Sequence, residues 1–315
     1  MSSNTNYVSS SLKERDNSNK GVFVDLTFDS GFKLIFADRA NKPLLIKLLN
    51  SILPSNAKVD DIVEYLDREQ QRDSPTGRLT QFDLICRAVD GTTFIVEFQR
   101  SREKSFFQRC VYYSAGTYHS QLKKGGSYND LRPVYSIGFL NYTLEHSDEA
   151  LWDRDHLISE YNFTEKRTGE IAPSTISVIF VELARFDKPR EECKSELDWL
   201  CYIFLHSVSL TEIPEEIRSE PFFDNLLEAC RIAAFDNNKK LLYERSIMKE
   251  MDIIAQRDYA VEVGFNNGYD KGIAEGMEKG AREIAKRLLS DGLDTALVAK
   301  YSGLSTEEVL SLKQN

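Results

Sequence analysis

The sequence predicts an α/β domain followed by a helical C-terminal region, and three observations carry that prediction. Two apolar, β-branched runs, residues 79–89 and 92–99, flank the turn dipeptide Asp90-Gly91 and read as a hairpin. Apolar residues at helical spacing precede the hairpin over residues 31–53 and follow it over 106–122. Beyond residue 191 the periodicity is helical, and it ends in five glycines spaced four residues apart.

Residues 1–20 are rich in Ser, Asn, Lys and Asp, lack apolar periodicity and are expected to be a disordered tail. Next come Phe32, Ile35 and Phe36, then Leu44, Leu45, Leu48, Leu49, Ile52 and Leu53, two helices separated near Asn41-Lys42-Pro43. Pro43 suits the first turn of the second helix, and Pro54 ends it. Residues 59–69 read as a strand entering the polar loop Asp73-Ser74-Pro75-Thr76-Gly77. After the hairpin, Phe107, Val111, Ser114, Ala115, Tyr118 and Leu122 form one face of a helix closed by Gly125-Gly126. Residues 133–140 and 175–183 are further strands, joined by an acidic connection over 145–172 that periodicity does not assign.

From residue 191 to 260 a helical bundle region is expected. Leu197, Leu200, Cys201, Phe204 and Leu205 make one apolar face, and Phe223, Leu226, Leu227 and Cys230 a second. Leu241, Leu242 and Met248 open a long third helix that runs towards Gly264, Gly268, Gly272, Gly276 and Gly280. Each glycine costs a helix interior about 1 kcal/mol relative to alanine. Close helix–helix approach gives the stripe a purpose, so residues 261–315 are read as a homo-oligomerising segment; the alternative is a hinge. Asp270, Lys271, Glu275 and Lys279 exclude a bilayer as its surroundings. Ser305 and Glu308 form a capping box for the last helix. Glu307 and Glu308 at its start favour a packing hairpin over a DNA-reading helix-turn-helix.

Composition narrows the class. With 41% hydrophobic and 29% charged residues the chain is that of an ordinary globular protein, and no apolar run of about 18 residues predicts a membrane span. The N-terminus lacks the basic and apolar regions of a signal peptide, which predicts a cytoplasmic protein. The five scattered cysteines read as reduced core thiols, and His119, His146, His156 and His206 lack metal-ligand spacing. A net charge of −10 argues against a protein that coats DNA. Locally the balance differs: residues 100–124 hold six Lys and Arg against Glu103 alone, whereas residues 182–220 hold ten acids against five bases. The basic stretch is either a phosphate-facing surface or a solvated face.

The chemistry lies in the hairpin. Glu97 sits inside Ile95-Val96-Glu97-Phe98, where burial without a partner costs several kcal/mol. Asp83 lies in the preceding run, and one-to-one pairing about Asp90-Gly91 sets it opposite Phe98. A bulge or bend is then needed to turn Asp83 towards Glu97. Two acids that meet in an interior repel one another unless a divalent cation lies between them. The competing reading makes each acid a solvated edge residue or turn cap.

The succession Phe28-Asp29-Ser30-Gly31-Phe32-Lys33-Leu34-Ile35-Phe36, Leu48-Leu49-Asn50-Ser51-Ile52-Leu53, Asp83 and Glu97-Phe98-Gln99 resembles the PD-(D/E)XK nuclease family transposases, also called recombination-promoting nucleases. The likeness continues through Gln108-Arg109-Cys110-Val111-Tyr112-Tyr113, Leu131-Arg132-Pro133-Val134 and Val181-Glu182-Leu183-Ala184-Arg185-Phe186. It implies a restriction-endonuclease-like core over residues 21–190, a mixed central sheet flanked by helices. It also implies a metal-dependent DNA endonuclease that promotes recombination. Asp83 and Glu97 would hold Mg²⁺, with Mn²⁺ as an alternative, and Gln99, Asp29 and Gln108 would complete the catalytic set. The wider superfamily has a lysine where Gln99 stands; an amide supplies no positive charge but can orient a water. Asp29 reads equally well as the N-cap of its helix. The rival function is a catalytically weak nucleic-acid-binding or self-associating regulatory protein.

Overall fold

The computed structural model describes residues 22–66, 69–70, 80–172 and 175–313. The expected N-terminal tail and the loop of residues 73–77 lie outside them. Two compact units divide the chain, Met1–Ile247 and Met248–Asn315.

The first unit is built on a six-stranded mixed sheet, the architecture that the resemblance implies. Its strands are β1 (Ile62–Tyr65), β4 (Leu84–Ala88), β5 (Thr93–Gln99), β6 (Val134–Leu140), β7 (Ile158–Tyr161) and β8 (Ile176–Glu182). They lie in the order β1-β4-β5-β6-β8-β7. β1, β4 and β5 are antiparallel; β5, β6 and β8 are parallel; β7 pairs antiparallel with β8. The acidic connection thus contains the edge strand β7. The short pair β2 (Glu69–Gln70) and β3 (Thr80–Gln81) stands apart from the main sheet.

Alternation along the parallel strands divides the core between two faces. Phe94, Val96 and Phe98 of β5, with Ile137, Phe139, Ile179 and Val181, face the larger cluster. Over it pack α1 (Asp29–Phe36), α2 (Lys42–Ile52), α4 (Glu196–His206) and α5 (Pro221–Cys230). Phe204 of α4 stacks within 5.1 Å of Phe139 and 6.0 Å of Phe36, so the helices after residue 191 share the core of the sheet. The opposite face meets α3 (Phe106–Ser120) through Phe106, Cys110, Leu140, Val178 and Phe180.

The buried face of α3 differs from the expected one. Phe106, Cys110, Ser114 and Thr117 are buried, whereas Phe107 and Val111 are exposed. Ser114 tolerates burial because its hydroxyl donates to Cys110 O at 2.8 Å, within the helix. Gly138 beneath α3 is required by space: a Cβ there would stand 2.9 Å from Phe180 and 3.0 Å from Phe106.

The hairpin turn also corrects the expected register. Ala88 N donates to Thr92 O at 2.8 Å and Gly91 N to Ala88 O at 3.0 Å, so the loop has three residues, Val89-Asp90-Gly91. Gly91 adopts φ +90°, the left-handed conformation that completes a type I turn plus bulge. Leu84 therefore opposes Val96, the last pair of the ladder, and Asp83 follows at a bend outside it.

The end of β8 is fastened by Glu182, which is fully buried. It accepts from Leu144 N at 2.8 Å and Arg185 Nε at 2.8 Å, and its other oxygen lies 2.6 Å from His146 Nε2. His146 stacks on Trp152 at 3.8 Å, so this one acid holds the start of the acidic connection. All five cysteines are free and buried, as expected.

The long helix α6 (Asn237–Ser290) runs unbroken through all five glycines and crosses the division between the units. In the second unit it is followed by α7 (Thr295–Ser302) and α8 (Thr306–Lys313). Ala285, Val298 and Val309 are their common core. Glu308 accepts from Ser305 N at 2.8 Å while Ser305 Oγ accepts from Glu308 N at 3.3 Å, the expected capping box. Among the described residues no helix is long and apolar enough to cross a membrane.

Gly31 decides how α1 lies on the sheet. A Cβ at this position would come within 2.0 Å of Asp25 O. Gly31→Ala is expected to destabilise the first unit by about 1–3 kcal/mol, read from the midpoint of urea unfolding.

Candidate active site

Asp83 lies at a bend between β3 and β4, one residue before the ladder of β4 begins. Its Oδ2 accepts a hydrogen bond from Phe98 N at 2.8 Å, so the side chain caps β5 where β4 no longer pairs with it. Its Oδ1 meets Lys33 Nζ at 2.9 Å. Lys33 belongs to α1, and the same ammonium reaches Asp29 Oδ2 one helical turn earlier at 2.8 Å. Asp29 is therefore not the N-cap: that position is Phe28, and Asp29 lies in the first turn as the ion partner of Lys33.

Glu97 is 6% exposed and is reached by the other helix layer. Arg109 of α3 places Nη2 at 3.1 Å from Glu97 Oε2 and 3.0 Å from Gln99 Oε1, while Nη1 meets Glu103 Oε2 at 2.5 Å. The amide nitrogen of Gln99 donates to Ser101 O at 3.0 Å. Both ends of Gln99 thus join Arg109 to the loop after β5. Gln108 is exposed on α3, and its neighbour Arg109 is the residue that contacts the acids. Lys33 and Arg109 are the two groups at this site that the sequence did not single out. Each carries a signal in retrospect: Lys33 follows Asp29 at an i,i+4 spacing, and Arg109 lies one turn beyond Ser105 at the start of α3.

Among the described residues, the four acids Asp29, Asp83, Glu97 and Glu103 share two cation partners, Lys33 and Arg109. Burial, and next the neighbouring charge of Asp29, push the Asp83 carboxyl up to about 7, against the pull of Lys33 and of the Phe98 N–H. Burial likewise raises Glu97, and Arg109 and Lys33 offset part of that rise. Burial works to lower Lys33, yet Asp83 and Asp29 hold it above its ordinary value. Asp29 Oδ1 is shielded from solvent and has no hydrogen-bond partner among the described residues.

These features suit a divalent cation. The donors are hard oxygens, one buried oxygen is unpartnered, and two positive charges would neutralise the surplus. Among the described residues no group of three or more His, Cys, Asp or Glu is placed to hold a metal ion. Mg²⁺ does not demand such a group, because it keeps several waters and commonly takes one or two carboxylates together with substrate phosphate.

The basic stretch is partly consumed inside the protein. Arg100 lies over the Phe28 ring at 4.2 Å, Arg102 pairs with Glu145 at 2.9 Å, and Arg109 serves the acids. Lys104, Lys123 and Lys124 remain exposed.

The family model described as PD-(D/E)XK nuclease family transposase matches residues 26–260. No curated protein and no solved structure matches the chain.

Folded Asp83 keeps its proton over a pH range in which the unfolded carboxyl, with an ordinary value of 3.8, has lost it. The folded state then binds more protons, so metal-free stability is expected to fall as pH rises from about 4 to about 7. Asp83→Asn should flatten that slope in urea titrations across the same range.

Proposed function

Because this chain belongs to the PD-(D/E)XK nuclease family transposases, we propose that it is a Mg²⁺-dependent DNA endonuclease with its centre at Asp83 and Glu97. The family places it among nucleases of restriction-endonuclease-like fold, and the six-stranded sheet between helices agrees with that. The observation that carries the reading is the gathering of Asp29, Asp83, Glu97 and Glu103 around Lys33 and Arg109 where the hairpin ends, four acids to two paired cations among the described residues. Asp83 and Glu97 would hold the cation, with Mn²⁺ able to replace it, and Asp29 offers its unpartnered oxygen. When bound, the metal would polarise the phosphodiester and lower the pKa of a water. The protein's own part is positional. Phe98 N–H fixes Asp83, Arg109 fixes Glu97, and Gln99 fixes Arg109 through its carbonyl while its amide anchors the loop. Gln99 in this reading orients Arg109, and Gln108 is left to contact DNA from the exposed face of α3. Promotion of recombination follows from such cutting in a transposase-like protein.

Purified protein with supercoiled plasmid and Mg²⁺ is expected to produce nicked or linear DNA, and Asp83→Ala to slow this at least about a hundredfold. Equal cutting by both would reject the assignment. Calorimetric titration with Mg²⁺ should give clear binding to the wild type and a binding constant at least tenfold weaker for Glu97→Ala.

The helix α6 also supports homo-oligomerisation through residues 261–315. Phe265, Tyr269, Ile273 and Met277 are exposed in a row that runs beside the glycine stripe, and nothing lies within 4 Å of where the glycine Cβ atoms would be. A ridge of large side chains beside a groove of glycines on one helix is complementary to a second copy. Light scattering is expected to give a mass above that of the 36.1 kDa monomer, and Ile273→Lys to reduce it. A monomer in both cases would reject this part.

A further inference from the structure

We propose that Lys33 supplies, from helix α1, the substrate-contacting positive charge that the superfamily ordinarily places at the position of Gln99. This rests on the reading of Asp83 and Glu97 as a nuclease centre and names a further catalytic residue for it.

Gln99 is unsuited to the role on two counts. Its side chain is neutral, and both of its ends are engaged, the carbonyl by Arg109 and the amide by Ser101 O. Arg109 is the nearest alternative cation, but its guanidinium is already divided among Glu97, Gln99 and Glu103. Moving it towards a phosphate would release the buried Glu97. Lys33 differs from both. Its ammonium has three donors on a flexible four-carbon stem, and Asp83 and Asp29 occupy two of them. It stands 2.9 Å from Asp83, so a phosphate oxygen drawn to that acid's cation lies within its sweep. Its charge bears on Glu97 as well as on Asp83, so it serves both halves of the site.

The placement of α1 shows why the charge arrives from there. Gly31 lets the helix close onto the backbone at Asp25, and Phe32 and Phe36 seat it in the main core. Lys33 is then carried to the end of β5 on a rigid element, as a positioned charge requires.

In the reaction, water adds to phosphorus, one P–O ester bond breaks, and the proton given up by the water is matched by one taken up by the leaving alkoxide. Extra negative charge gathers on the non-bridging oxygens as water adds. Lys33 keeps its proton throughout and turns from the carboxylates to those oxygens. Asp83 and Asp29 would be left to hold the divalent cation when Lys33 turns away.

The test compares wild type with Lys33→Met, Lys33→Gln and Lys33→Arg in single-turnover plasmid cleavage at saturating Mg²⁺, together with Mg²⁺ calorimetry without DNA. The Met and Gln variants are expected to cleave at least about a hundredfold more slowly. Their Mg²⁺ affinity should equal or exceed that of the wild type, since no ammonium competes for the carboxylates. Lys33→Arg should retain a tenth or more of the rate. Cleavage by the neutral variants within threefold of wild type overturns the proposal. So does a loss that is reversed by more Mg²⁺, which would make Lys33 a support of the metal site alone. Lys33→Gln keeps a donor towards the acids and decides the matter where Lys33→Met does not fold; failure of both to fold assigns Lys33 to structure and overturns the proposal. A wild type that does not cut removes the nuclease reading itself, which a defect confined to the Lys33 variants does not touch.

Discussion

The ion pairs that gather where the hairpin ends are the constraint on which this structure turns: Lys33 joins Asp29 to Asp83, and Arg109 joins Glu97 to Glu103. Asp83 stands one residue before the paired part of β4 and caps Phe98 N of β5, the strand that carries Glu97. The surrounding helices then compensate in part. Lys33 approaches Asp83 from α1 and Arg109 approaches Glu97 from α3. Each cation also serves a second acid, Asp29 or Glu103, so the deficit persists. Protonation of Asp83, whose carboxyl is pushed up to about 7, relieves part of that deficit, and a divalent cation would relieve more.

The rest of the first unit can be understood as the frame for that end of the sheet. The larger aromatic core, with Phe32, Phe36, Phe98, Phe139 and Phe204 in mutual contact, fixes α1 and α4 against β5 and β6. Rigidity there matters because it holds the charged groups at the end of the sheet in fixed positions. Glycine enters where helices must approach closely: Gly31 under α1 and Gly138 under α3. Glu182, with His146 and Arg185, closes the neighbouring end of β8. Asp83 also has a donor on each oxygen, but the ammonium of Lys33 that it uses is shared with Asp29.

Much of the fold was legible because local physics and tertiary demand agree. Strands at 93–99, 134–140 and 176–182 are continuous apolar runs, as parallel strands buried on both faces must be. Pro43 in the first turn of α2 and the Ser305–Glu308 box of α8 are set within one turn of chain. The inward face of α3 was not legible. It buries Ser114 and Thr117 in preference to Phe107 and Val111, because the helix lies over the narrow row of Gly138 and Phe180. Small residues fit there, and Phe107 instead meets Tyr161 at the edge, 5.0 Å away.

The sequence by itself determined the segments on which the candidate acids Asp83 and Glu97 stand, since both lie in apolar runs that flank a turn dipeptide. It also determined the hairpin and the helical tail, which depend on neighbours a few residues apart. Only the tertiary structure decided that Asp83 caps Phe98 N and that Gln99 is engaged in fastening Arg109. It alone brought Lys33, fifty residues away in sequence, into contact with Asp83. The physical reason is one of range. Strand and helix patterns are written in local spacing, whereas a one-residue bulge with φ +90° at Gly91 and the close approach of α1 act on groups that are distant along the chain.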